Sequence, residues 1–136
     1  MSAATAAREA KRKAGEQQSY LVGATKIWKG TLVSARTDGY AYAARSGTTT
    51  DIFLGVAYES VDNSGGSAGD KRCIVDKEGS YEFTLSGAAI TDIGSAVYAL
   101  YDNEVTKTAT YNQLVGYITE LTGTDLVRVR INRAVQ

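Results

Sequence analysis

The sequence predicts a mainly β protein: a compact β-barrel or sandwich-like domain preceded by an extended or helical N-terminal arm. Three observations carry this. From Tyr20 onward, short runs rich in Val, Ile, Tyr and Phe are separated by clusters of Gly, Asp, Asn and Ser. All nine Tyr, both Phe and the one Trp lie in that part of the chain. Residues 2–18, by contrast, contain no Leu, Ile, Val or aromatic side chain at all. The chain therefore divides into an arm over 1–19 and a β-rich domain over 20–136. A single domain of this size buries roughly two thirds of its unfolded surface.

The arm is built almost wholly of good helix formers, Ala, Arg, Lys, Glu and Gln, but a short helix without an apolar face to dock is marginal in water. Gly15 weakens it further. Three readings stand: a frayed tail, a segment that orders on a neighbouring subunit, and an RNA- or DNA-binding tail, which the short basic cluster at 11–13 favours least. Strands are expected at Ile27–Ala35, Tyr40–Ala44, Phe53–Tyr58, Arg72–Asp76, Ser80–Leu85, Ala96–Tyr101, Leu114–Glu120 and Leu126–Asn132. The last alternates most clearly, with Val127, Val129 and Ile131 on one face and Arg128 and Arg130 on the other. Tyr81 to Leu85 alternates in the same way. Asp38-Gly39 marks a hairpin turn, and Asp102-Asn103 a second turn. Residues 62–70 form the longest irregular segment, and Ala88–Ile93 is the one candidate for a short helical turn.

Composition removes many chemistries. The chain has no His, no Pro and a single Cys, so the usual triads, zinc sites and neutral-pH proton shuttles have no residues to use. Cys73 has no internal disulfide partner, and its β-prone surroundings suit a small buried apolar side chain. No apolar run approaches the ~20 residues that cross a bilayer, and the N-terminus has no secretory apolar core. Synthesis in a cytoplasm is the simplest reading. The 15 basic and 15 acidic side chains cancel. Residues 1–19 hold a net +2, from four basic and two acidic side chains, against −2 for the remainder. Neither value supplies the single-sign field of a nucleic-acid binder.

Motifs for chemistry are correspondingly thin. Most acids fall at turns (Asp38, Asp62, Asp70, Asp92, Asp102, Asp125), where Asp hydrogen-bonds its own backbone. Asp76 and Glu78 lie two apart, a weak basis for a carboxylate hydrolase. The 62–70 loop offers oxygen ligands in Asp62, Asn63, Ser64 and Asp70 but not the spacing of an EF-hand, and reads as a solvated loop. Its glycines match no phosphate-binding pattern. No cofactor is expected. Tyr81 and Phe83 are expected in the core. Tyr40 and Tyr42, spaced to share a face, suit either core or interface. Arg128 and Arg130, with Lys26 and Lys29 elsewhere, fit a solvated strand face or a surface meeting a partner's acids.

The order of motifs, more than any one of them, carries a resemblance. Gly55-Val56-Ala57 leads into the Gly/Ser loop and Gly69-Asp70, then Ile74-Val75-Asp76 and Gly79. After Gly87 come Asp92-Ile93-Gly94-Ser95-Ala96-Val97-Tyr98, Asp102-Asn103 and Val105. Asn112 to Tyr117 and Leu126 to Ile131 complete the series. Over residues 30–133 this resembles the small capsid cement, or head decoration, proteins of tailed bacteriophages. That resemblance implies a non-catalytic β domain on the virion's capsid exterior, stabilising the major capsid protein lattice. It also implies self-assembly, as a homotrimer by preference or as a dimer, without nucleic acid or membrane as a partner. The contact candidates are then Arg8, Lys11, Arg12 and Lys13 in the arm, with Trp28, Tyr40, Tyr42, Arg128 and Arg130 in the domain. The competing reading is a glycan-binding β domain of a phage tail or cell-wall module, with tyrosines stacking on sugars. A lipoyl- or biotinyl-type carrier fails at its defining residue, because the only Met is Met1.

Overall fold

The structure, a computed structural model, describes residues 16–132. Twelve strands follow in order: β1 Gln17–Leu21, β2 Lys26–Ile27, β3 Leu32–Ala35, β4 Ala41–Ala43, β5 Ile52–Ala57, β6 Val61–Asp62, β7 Arg72–Asp76, β8 Glu78–Thr84, β9 Ala96–Ala99, β10 Val105–Thr106, β11 Leu114–Gly123 and β12 Leu126–Asn132. Among the described residues one 3-10 turn, Ile90–Asp92, falls inside the expected helical segment. The first sheet has the order β1-β7-β5-β3-β4, the second β10-β9-β11-β12-β8, and β2 pairs with β6 as a small ribbon. The ladders of all three are antiparallel.

The main core lies between the two five-stranded sheets. Leu32, Phe53 and Val56 from the first meet Phe83, Val97, Val115, Ile118, Val127, Val129 and Ile131 from the second. The expected alternation of β12 is present, with Val127, Val129 and Ile131 buried. Phe83 is buried and Tyr81 packs against the same core. A second, smaller core covers the far face of the first sheet. Val33, Leu54, Ala57, Cys73 and Val75 pack there with Ile27 of β2 and Val61 of β6, so the ribbon roofs the sheet.

Strand β5 serves both cores, and a bulge sorts its side chains. Its register against β3 skips Leu54, since Val33 faces Gly55 and Ser34 faces Phe53. Phe53 and Val56 therefore share one face, while Leu54 and Ala57 share the other. Gly55 sits at φ 147, and a Cβ there would strike the Asp76 carbonyl, so only Gly fits. Lys77 alone separates β7 from β8, and the chain crosses there from one sheet to the other. Gln17 is opposite Asp76 and Asn132 is opposite Glu78. The first and last strands thus meet end to end at this corner, with the Lys77 N–H donating to the Glu16 carbonyl at 2.8 Å.

Beyond shifts of one or two residues at strand ends, the structure departs from the sequence expectation in four places. The run Ile27–Ala35 is broken into β2 and β3 by a turn through Gly30, whose φ is 81. Strand β1 takes in Gln17, Gln18 and Ser19, three polar residues of the expected arm held by backbone pairing to β7. The two-residue strands β6 and β10 are too short to leave any periodicity. Strand β11 runs on to Gly123, where Gly123-Thr124-Asp125 turns the chain and Asp125 has φ 56.

Candidate functional site

The expected contact residues within the domain divide by exposure, with Trp28 and Arg130 exposed and Tyr40, Tyr42 and Arg128 half-buried. Arg8, Lys11, Arg12 and Lys13 lie outside the described residues. Trp28 stands on the turn between β2 and β3, 54% exposed. The Lys26 ammonium sits 3.8 Å above its ring centre, which orients the indole without covering it. Backbone contacts bring that turn beside two others. The Gly30 N–H donates to the Ala57 carbonyl at 2.9 Å, the Lys29 N–H to Ser60 Oγ at 2.8 Å, and the Leu32 N–H to the Asp102 carbonyl at 2.7 Å. Tyr58 and Tyr101, 52% and 58% exposed, flank those anchor points. Three large aromatic side chains thus stand on three loops knitted together at one end of the sheets.

Tyr58 and Tyr101 were not among the expected contact residues. Each closes an apolar run just before a turn cluster, Glu59-Ser60 or Asp102-Asn103. That position is a readable signal, because a residue just past a strand's end leaves the packed face: β5 ends at Ala57 and β9 at Ala99.

Tyr40 and Tyr42 are half-buried and packed around the β3–β4 hairpin. The Tyr42 hydroxyl donates to Asp38 Oδ2 at 2.6 Å, and the Asp38 carboxylate also accepts the Tyr40 N–H at 3.0 Å. This pair holds the Asp38 carboxyl below its ordinary range and pushes the Tyr42 phenol up, since the bond favours ionised Asp and neutral Tyr. The Arg36 guanidinium lies 4.1 Å from the Tyr42 ring centre. The Tyr42 ring also fills the space where a Gly23 side chain would stand, and the Tyr40 ring borders Gly69.

Arg128 and Arg130 stand on the outward face of the second sheet, as their alternation requires. Arg128 Nε reaches Glu120 Oε2 at 3.2 Å, and Glu82 is its cross-strand neighbour on β8. Arg130 is opposite Tyr117 on β11 and Ser80 on β8. Tyr117 escapes a simple parity count because β11 slips one residue against β9 between Leu114 and Gly116. The slip lets Val115, Gly116 and Ile118 be buried while Tyr117 faces out.

The acids are held in local structure. The Asp92 carboxylate takes Lys107 Nζ at 2.8 Å and the Ala89 N–H at 2.9 Å, which depresses its pKa from 3.8. Asp51 is buried and paired with Arg45 Nε at 2.8 Å. Asp125 accepts the Gly87 N–H at 3.0 Å, and Asp62 accepts both the N–H and the hydroxyl of Ser64. Asp76 takes Gln17 Nε2 at 2.8 Å beside the sheet corner, while Glu78 is exposed. Cys73 is fully buried, and desolvation pushes its thiol up to about 11, helped by the Glu59 carboxylate. Among the described residues, no group of three or more His, Cys, Asp or Glu is placed to hold a metal. No helix among them is long and apolar enough to cross a membrane.

No protein-family model matches the chain, and no curated protein matches it either. Rigid aromatic rings on tethered loops bury large apolar area at small entropic cost. The opposing strand face offers charged groups whose partners are exposed and exchangeable.

Proposed function

We propose that this protein is a capsid decoration protein, binding the outside of a bacteriophage head and reinforcing the major capsid protein lattice without catalysis. The observation that carries this reading is the cluster of Trp28, Tyr58 and Tyr101, exposed on loops tied by backbone hydrogen bonds. Surface rings of this size have no part in either core and suit contact with another protein. The order of sequence motifs adds independent support.

The corner at Lys77 supports it as well. Glu16, just before β1, and Asn132, at the end of β12, lie there together. Contacts made by Arg8, Lys11, Arg12 and Lys13 would be covalently joined to a docked domain and so act at high effective concentration. Self-assembly, as a trimer by preference or as a dimer, multiplies weak contacts in the same way. The glycan-binding alternative assigned sugar stacking to Tyr40 and Tyr42. The Tyr42 ring is stacked under Arg36 and both rings border glycine backbone, so that assignment loses its support.

The test is co-sedimentation of the full chain with undecorated, expanded heads of the phage that encodes it, beside a glycan array. Saturable binding to heads and a flat array are expected. Binding to sugars with no retention on heads would replace this reading with the alternative.

A further inference from the structure

We propose that the loop from Asp62 to Lys71 binds a hard divalent cation of the calcium class through the side-chain oxygen of Asn63 and the carboxylate of Asp70. This site is independent of what the protein docks on.

Asn63 is 1% exposed, and its amide orientation is fixed. Nδ2 donates to the carbonyls of Val22, Gly23 and Ser67 at 3.3, 3.0 and 2.9 Å. Oδ1 is therefore turned the opposite way, where it is buried and has no hydrogen-bond donor among the described residues. A buried amide oxygen left without a donor keeps its full desolvation penalty, so the position calls for an electropositive partner.

Gly66 shows where that oxygen is aimed. A Cβ built on Gly66 would lie 2.5 Å from Asn63 Oδ1 and 3.0 Å from Asp70 Oδ2. The two oxygens converge over the same glycine, in a cleft of about 490 Å³ lined by Asp62, Asn63, Ser64, Gly65, Gly66, Asp70 and Lys71. Asp70 Oδ2 accepts one N–H, from Ser67 at 2.9 Å, which orients the carboxylate and leaves it charged acceptor capacity. Two cations border the loop on its Asp62 side: Lys71 Nζ donates to the Asp62 carbonyl at 2.7 Å, and Lys26 and Lys71 both attract the Asp62 carboxylate. Asp62 Oδ1 already accepts the N–H and hydroxyl of Ser64, and its carboxylate faces those two lysines, which leaves Asn63 and Asp70 as the ligands.

One carboxylate and one amide oxygen on a glycine-rich loop form an oxygen-only, irregular site. Calcium accepts such a set, completing its shell with water, whereas magnesium demands a near-ideal octahedron. A single charged ligand places the affinity at the weak end, with a dissociation constant on the order of 1 mM. Binding would clamp the loop to Val22–Gly23 and to Tyr40, whose ring borders Gly69.

The test uses the full chain stripped with EDTA. Calcium chloride at about 10 mM is expected to raise the melting temperature by about 3–5 °C over sodium chloride of equal ionic strength, with magnesium giving less. Asp70→Asn should lose that increment. Terbium should luminesce on the protein through the neighbouring Tyr40, and calcium should displace it. No calcium-specific rise would overturn the site, as would an undiminished rise in Asp70→Asn. If that variant does not fold, the unaltered chain decides, and absence of calcium-displaceable terbium emission overturns the proposal.

Discussion

The two large sheets share one core but treat their outward faces differently. The far face of the first sheet is roofed by the β2–β6 ribbon, and its side chains are as buried as those of the main core. The far face of the second is open, bearing Tyr117, Arg128 and Arg130. Strand β5, enclosed on both sides, reads Ile-Phe-Leu-Gly-Val-Ala with no polar alternation. Strand β12, half enclosed, alternates Val and Ile with Arg. The difference teaches where the chain has freedom. Substitutions on the roofed sheet act on stability, while those on the open face are left to act on contacts.

The sharpest way to break that comparison is within β5 itself. Phe53→Ala removes a ring between the sheets and is expected to cost about 3–5 kcal/mol in urea unfolding. Its neighbour Ile52 is 50% exposed, and Ile52→Ala should change stability by no more than about 0.5 kcal/mol. Equal effects at the two positions would contradict the assignment of faces. A smaller loss is expected at Ser34, whose hydroxyl donates to Gln113 Oε1 at 2.6 Å inside the domain. Ser34→Ala leaves that oxygen without its donor, at about 1–3 kcal/mol by the same unfolding measurement.

A pH effect comes next. The carboxyl of Asp92 is held below 3.8 in the folded chain by Lys107 and the Ala89 N–H. Its contribution is therefore present above the unfolded value and is lost as pH falls through the lowered one. Melting temperature should drop on acidification below about pH 4. Asp92→Asn should make the drop shallower, and an unchanged acid profile would contradict the role of the pair. The smallest effects belong to the open face. Arg128→Ala and Tyr117→Ala should each leave stability within about 0.5 kcal/mol, since the Arg128–Glu120 pair is solvent-exposed at both ends.

What was legible in the sequence follows from the same contrast. Strand β12 could be placed by its alternation, and the hairpin at Asp38-Gly39 by its turn chemistry, because each signal is local. Strand β1 could not, since Gln17, Gln18 and Ser19 owe their conformation to backbone pairing with a strand more than fifty residues away. The slip in β11 likewise hid the outward turn of Tyr117. The spacing of Tyr40 and Tyr42 was visible, but their roles rest on Gly23, Gly69 and Arg36, which only the fold brings near. The convergence of Asn63 and Asp70 over Gly66 was out of reach for the same reason.

Shell reinforcement is tested most directly by heating DNA-filled heads with and without the bound protein and recording when the DNA becomes accessible to dye. The full chain should raise that temperature, and a chain carrying Trp28→Ala, Tyr58→Ala and Tyr101→Ala together should raise it less or not at all. Heads that release their DNA at the same temperature whether or not they carry the protein would contradict the account.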